Sequence, residues 1–201
     1  LIRREHARVD NEITRRSALG DTYHAGRFGA PGDTAGIHFV YRTNQALTDL
    51  RGNPVDPQFV ASAQRALRCA LPLEPNTSSS GTDCVVLWLG PDEWLLVGIA
   101  AVRLPIDGGY MTDVSHGRAV VRVSGARTRD LFAKGCPLDL HPRVFAPRRC
   151  AQTHIAHVSV LLHLVDDAGT FDLYCARSYA AHTWHWLTEA ASALGYSVAN
   201  A

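Results

Sequence analysis

The sequence predicts an α+β fold, with antiparallel sheets carrying helices on one face and two small layered subdomains. Three observations predict it. Strand-like and helix-like segments are mixed along the chain. Several apolar strands are joined by tight Gly/Pro/Asp turns, the signature of hairpins. One strand–turn–helix–loop unit, Met111 to Phe145, is well defined enough to organise the rest.

In chain order, residues 1–35 are charged, glycine-containing and weakly periodic, and read as an extended arm or loop, either wrapped on a partner or frayed. The remaining domain, 36–201, subdivides roughly into 36–105 and 106–201. Ile37 to Tyr41 and Ala46 to Leu50 read as strands, with Arg51-Gly52-Asn53-Pro54 as a turn. A helix follows with a full set of signals: Asp56 as N-cap, Pro57 as first residue, and Phe59, Ala63, Ala66, Leu67 and Ala70 at helical spacing. Pro75 to Asp83 is rich in Ser and Thr and reads as a surface loop.

Val85-Val86-Leu87-Trp88-Leu89 and Trp94-Leu95-Leu96-Val97 form a hairpin around Gly90-Pro91-Asp92-Glu93. Strands this continuously apolar require cover on both faces, from a helix layer or another subunit. Ile99 to Tyr110 is a short connection. Ala119 to Val123 is a strand, and Ser124-Gly125 turns it into a helix from Ala126 to Lys134 that stops at Gly135 and Pro137. Ala151 to Ile155, Val158 to Val165 and Phe171 to Cys175 are strands. The last helix runs from near Ser178 to about Ala193, with Tyr179, Trp186, Leu187, Ala190 and Leu194 as its expected buried stripe. Tyr196 to Val198 adds an edge strand.

Composition narrows the function classes. With 201 residues and 46% hydrophobic content the chain can build a substantial core. A net charge of +1 supplies no global field for nucleic acid or an anionic membrane, and neither is expected as a partner. Lys134 is the sole lysine, so nearly all positive charge is arginine, which suits bidentate pairing with carboxylates or phosphates but is read first as codon bias in a GC-rich genome. No apolar run approaches the roughly 18 residues of a membrane span, and residues 1–6 lack an apolar signal core. The five cysteines are scattered without a CxxC, which fits reduced thiols in the cytoplasm.

The chemical candidates are weak. His154, His157, His163, His182 and His185 are the closest histidine spacings, but no Asp, Glu or Cys completes a ligand set, so no metal site is expected. Ser115-His116 sets a hydroxyl beside a base, yet neighbours on a strand point to opposite faces. Asp92-Glu93 and Asp166-Asp167 sit in solvated turns. Cys136 follows a helix C-terminus, where the dipole disfavours a thiolate. Of the four tryptophans, Trp184 lies off the expected stripe and is taken as the one most exposed. No catalytic residue, cofactor-binding residue or metal ligand is assigned.

The motifs LWLGPDEWLLV (87–97), TDVSHGRAVVRVSG (112–125), KGCPLDLHPRVF (134–145), CAQT (150–153) and FDLY…RSYA (171–180) occur in an order that resembles the gamma subunit of heterotetrameric sarcosine oxidase. The resemblance extends over about residues 37–190. That family's fold is similar to the folate-binding domain of the glycine cleavage T-protein, to whose motifs Asp113-Val114-Ser115-His116 and Ser124-Gly125-x-Arg127-Thr128 are similar.

The resemblance implies a non-catalytic structural subunit. Its alpha and beta partners would carry the NAD, FAD, FMN and folate sites, and the delta partner zinc. The whole complex would demethylate sarcosine to glycine, hydrogen peroxide and formaldehyde or 5,10-methylenetetrahydrofolate. Alternatives are the same subunit in a complex oxidising another N-methyl amine, or a free-standing folate-binding one-carbon protein resembling an aminomethyltransferase. The T-protein anchors folate through an acid on a strand. The corresponding region here, His157 to Asp166, has no acid within the strand. The segment from Gly98 to Tyr110 is also too short for a helix usual in the family, which leaves a sheet face in need of cover. His141, Arg143 and Trp184 are the expected contacts to other subunits.

Overall fold

The computed structural model describes residues 16–29, 35–100 and 104–200. Its elements in order are β1 (Gly26–Phe28), β2 (Ile37–Tyr41), β3 (Leu47–Arg51), α1 (Pro57–Leu67), β4 (Ser78–Ser80), β5 (Val85–Gly90), β6 (Glu93–Val97) and β7 (Tyr110–Asp113). They continue with β8 (Arg118–Ser124), α2 (Thr128–Ala133), β9 (Cys150–Ile155), β10 (Val158–Leu164), β11 (Phe171–Ala176), α3 (Ala180–Ala191) and β12 (Tyr196–Val198). Among the described residues no helix is long and apolar enough to cross a membrane.

Two sheets stack. A five-stranded sheet has the order β4-β5-β6-β3-β7, and a seven-stranded sheet the order β1-β12-β2-β8-β11-β10-β9. The larger sheet takes β2 from the first half of the chain, and the smaller takes β7 from just past residue 105. All pairings are antiparallel except β12 with β2.

Three apolar clusters join four layers. Phe59, Ala63 and Leu67 of α1 pack on Leu50, Val86, Trp94 and Leu96 of the smaller sheet. The other face of that sheet, through Leu47, Leu87, Leu89, Leu95 and Val97, meets Val120, Leu161 and Tyr174 of the larger one. The larger sheet's far face takes α2 and α3 through Leu131, Phe132, Trp184 and Leu187. Each sheet therefore has helices on one face and the other sheet on its second, the double cover that the apolar hairpin strands demanded.

Local rules account for most elements. Asp56 accepts from Gln58 N at 2.9 Å and Pro57 opens α1, which ends at Arg68 in the left-handed region. Gly125 turns β8 into α2 at φ +113°, and a Cβ there would strike the Gly36 carbonyl.

Several expectations require correction. Within the expected loop Pro75 to Asp83, Ser78–Ser80 forms β4, because its backbone completes the sheet beside β5. Tyr110, the last residue of the 99–110 connection, opens β7, which runs on into the 111–145 unit as an outer strand on β3. Leu104 and Ile106 of that connection fold against the Phe59 cluster and cover it locally. Tyr196–Val198 is no edge: β12 lies between β1 and β2. The buried stripe of α3 is Ala180, Thr183, Trp184, Leu187 and Ala191, and Tyr179 is 55% exposed. A 3-10 turn over Arg177–Tyr179 precedes the helix, and its tighter winding rotates the phase of the face.

The described part of the N-terminal arm lies on this chain's own sheet; residues 1–15 and 30–34 lie outside the described ones. β1 pairs with β12, the Tyr23 hydroxyl donates to the Ala199 carbonyl at 2.6 Å, and Tyr41 N donates to the Tyr23 hydroxyl at 3.1 Å. Leu19 is buried in the main core.

Candidate functional site

The loop from Gly135 to Arg149 is pinned by buried Leu140 and Phe145. Asp139 Oδ1 accepts from His141 N at 2.9 Å, and the His141 carbonyl accepts from Val144 N and Phe145 N at 2.8 and 2.9 Å. His141 Nδ1 accepts from Arg143 N at 3.2 Å. The turn is thus closed by its own polar groups, and the His141, Arg143 and Val144 side chains stand exposed together. Arg143 is not tucked into its own domain. From α2, Arg129 donates to the Leu140 carbonyl while its guanidinium lies 5.2 Å from the Phe171 ring centroid, which fixes the base of the turn.

Trp184 is elsewhere and buried, which corrects the expected exposure. It is 5% exposed, its Nε1 donates to the Thr22 carbonyl at 3.0 Å, and its ring lies 5.2 Å from Tyr23 and 5.4 Å from Phe39. The arm supplies the wall that helical spacing alone could not reveal.

The remaining candidates take structural places. Ser115 Oγ donates to Asp113 Oδ1 at 2.5 Å and accepts from Leu47 N at 2.9 Å, clamping the turn after β7 to β3, while His116 is exposed. His154, His157, His182 and His185 are exposed, and His185 approaches Glu189 at 3.6 Å. Among the described residues no group of three or more His, Cys, Asp or Glu is arranged to hold a metal ion. Burial pushes the Cys84 thiol up to about 12 and the Cys150 thiol up to about 11, so neither is a thiolate nucleophile near neutral pH.

Between the sheets lies a polar row that the sequence did not single out. Arg122 on β8 donates from Nε and Nη2 to the two Asp172 carboxylate oxygens on β11, each at 2.7 Å. His163 is opposite Asp172 on β10, and its Nε2 lies 3.2 Å from Ser78 Oγ on β4. Asp172 raises the Arg122 pKa, and burial depresses that of His163 to about 4. β10 does not fit a folate anchor: the polar side chain in its buried stretch is this neutral histidine, while Asp166 lies exposed in the following turn.

A second feature without local sequence signal is a cleft of about 490 Å³ at one end of the sheet pair. It is built from the β2–β3 and β7–β8 connections, the residue after β11 and the start of the described arm, and four arginines line it: Arg16, Arg42, Arg118 and Arg177. They are far apart in the chain, so only the fold assembles them.

The family model for sarcosine oxidase, gamma subunit, matches residues 51–193. The chain belongs to that family. It is 29% identical over 193 residues to the sarcosine oxidase subunit gamma of Corynebacterium sp. (strain P-1), covering 92% of this chain and 93% of the relative. It is 33% identical over 139 residues to the subunit gamma of an Arthrobacter species, covering 65% and 68%. Among solved structures it is similar to a chain of the heterotetrameric sarcosine oxidase from Corynebacterium sp. U-96 in complex with pyrrole 2-carboxylate. That match has a TM-score of 0.72 and 28% identity, over 82% of this chain and 87% of the other. The aminomethyltransferase T of the Bartonella henselae glycine cleavage system shares the fold, at a TM-score of 0.59 and 10% identity, over 82% and 48% of the two chains. The gamma-subunit resemblance and the T-protein-like α+β fold read from the motifs are thereby borne out.

Proposed function

We propose that this chain is the gamma subunit of a heterotetrameric, multi-flavin sarcosine oxidase of the bacterial cytoplasm, and that it serves the oxidation structurally, without a catalytic residue of its own. The observation that carries the reading is end-to-end similarity to a gamma subunit, over 92% and 93% of the two chains. In this reading the alpha, beta and delta partners hold FAD, FMN, NAD, folate and zinc. The complex oxidises sarcosine to glycine, hydrogen peroxide and formaldehyde or 5,10-methylenetetrahydrofolate. The exposed turn carrying His141 and Arg143 contributes polar contacts to a partner, and residues 36–201 act as one gamma-subunit domain whose two sheets each draw strands from both sides of the 105/106 subdivision.

The test is purification from the native host through a tag on this chain, recording flavin absorbance, the mass of each co-purifying chain and peroxide production from sarcosine. Two large flavin-bearing chains and one small zinc-bearing chain in equal ratio are expected. A lone colourless chain under conditions that preserve complexes overturns the proposal.

A further inference from the structure

The described lining of the cleft sets four arginines against one carboxylate. Arg42 and Arg118 are half-buried in it, while Arg16 and Arg177 are exposed at its rim. None of the four forms an ion pair with a described residue, although the described carboxylates pair readily with arginines elsewhere: Glu93 with Arg51, Asp172 with Arg122, Asp130 with Arg127 and Glu74 with Arg149. Among the described residues the Arg42 guanidinium meets the neutral Gln45 amide oxygen at 3.4 Å, and Arg177 donates to the Arg16 carbonyl at 2.5 Å. Asp113, the carboxylate among the described lining residues, accepts from Ser115 through both its N–H and its hydroxyl.

Gathering guanidinium groups of like charge in a partly desolvated hollow is unfavourable unless negative charge is brought to them. The arrangement from floor to rim is that of an interface, with half-buried planar forks able to take carboxylates in bidentate fashion inside a solvated charged border. A bound acidic chain can supply several carboxylates at once to cations delivered from four separate segments.

We propose that this cleft receives an acidic segment of a partner subunit, whose carboxylates pair with Arg42 and Arg118. The inference rests on the reading of the chain as an oxidase subunit and adds to it the place and chemistry of one contact. Docking there would also tie the arm to the ends of both sheets, since Arg16, Leu47 and Val120 all border the cleft.

The test uses the co-expressed complex with a tag on this chain. In the double variant Arg42→Glu/Arg118→Glu, retention of the partner chains is expected to fall at least about tenfold, because reversed charges now face the partner's acids. Arg65→Glu, exposed on α1, serves as the control and is expected to leave retention unchanged. Hydrogen exchange on the unmutated protein provides a readout independent of variant folding: amides of residues 41–47 and 113–118 are expected to exchange more slowly in the complex than in the free full-length chain. Equal exchange in both states overturns the proposal, as does a folded double variant that retains its partners in full. If the unmutated chain captures no flavin-bearing partner at all, it is the oxidase-subunit reading that fails.

Discussion

His163 makes the stability of this chain depend on pH in a calculable way. The ring is 4% exposed, its Nε2 is within hydrogen-bond distance of Ser78 Oγ, and its Nδ1 has no partner among the described residues. Burial lowers its pKa from 6.5 to about 4; Asp172 opposes that shift and Arg122 adds to it. The unfolded chain therefore takes up the proton at higher pH than the native one. Stability contributed by the neutral ring is present above pH 6.5 and is lost as pH falls toward 4. Between pH 7 and pH 5 this single group removes about 2 kcal/mol, since the unfolded imidazole is then almost fully protonated and the native one only about a tenth.

The perturbation is His163→Gln, which keeps a polar group near Ser78 and removes the titration. Urea unfolding of the full chain, followed by tryptophan fluorescence at pH 7 and pH 5, gives the four stabilities needed. The variant starts lower at pH 7, but its loss on acidification should be smaller than that of the unmutated chain by about 2 kcal/mol. The difference cancels the carboxylates that titrate in both proteins. Equal losses would refute the reasoning and would mean that the native ring accepts its proton without penalty.

Three further outcomes follow from packing and pairing. Trp184→Ala should cost about 3–5 kcal/mol and expose residues 16–29 to protease, because the indole is the floor on which Tyr23 and Thr22 sit; unchanged proteolysis would disprove that role. Asp172→Asn should lower stability by about 2–3 kcal/mol in the same urea assay, toward the low end for a buried pair because 29% of the Arg122 side chain stays exposed. Gly135→Ala should cost about 1–3 kcal/mol, since the new methyl would overlap the Trp186 indole, and Trp186→Leu in the same chain should recover part of that loss.

Local chemistry alone was enough for much of this molecule. The Asp56–Pro57 start of α1, the hairpin around Gly90-Pro91, the β8–α2 turn at Ser124-Gly125 and the family motifs all depend on interactions within a few residues, or on a residue order that any chain displays without folding. So does the need for cover on both faces of the 85–97 strands, although not what supplies it. Tertiary structure decided the rest. Ser78–Ser80 became a strand because a neighbouring edge offered its backbone partners, not because its side chains favour extension, and Tyr110–Asp113 found its place only because β3 offered an open edge. Trp184 went inside because the arm returns over it, and β12 went between two strands because β1 closes beyond it. The Arg122–Asp172–His163–Ser78 row and the four-arginine cleft join residues tens of positions apart, so neither has a spacing to recognise. Short-range preferences are carried by each residue's own backbone and near neighbours, whereas burial and charge pairing depend on which distant segments the two sheets bring face to face.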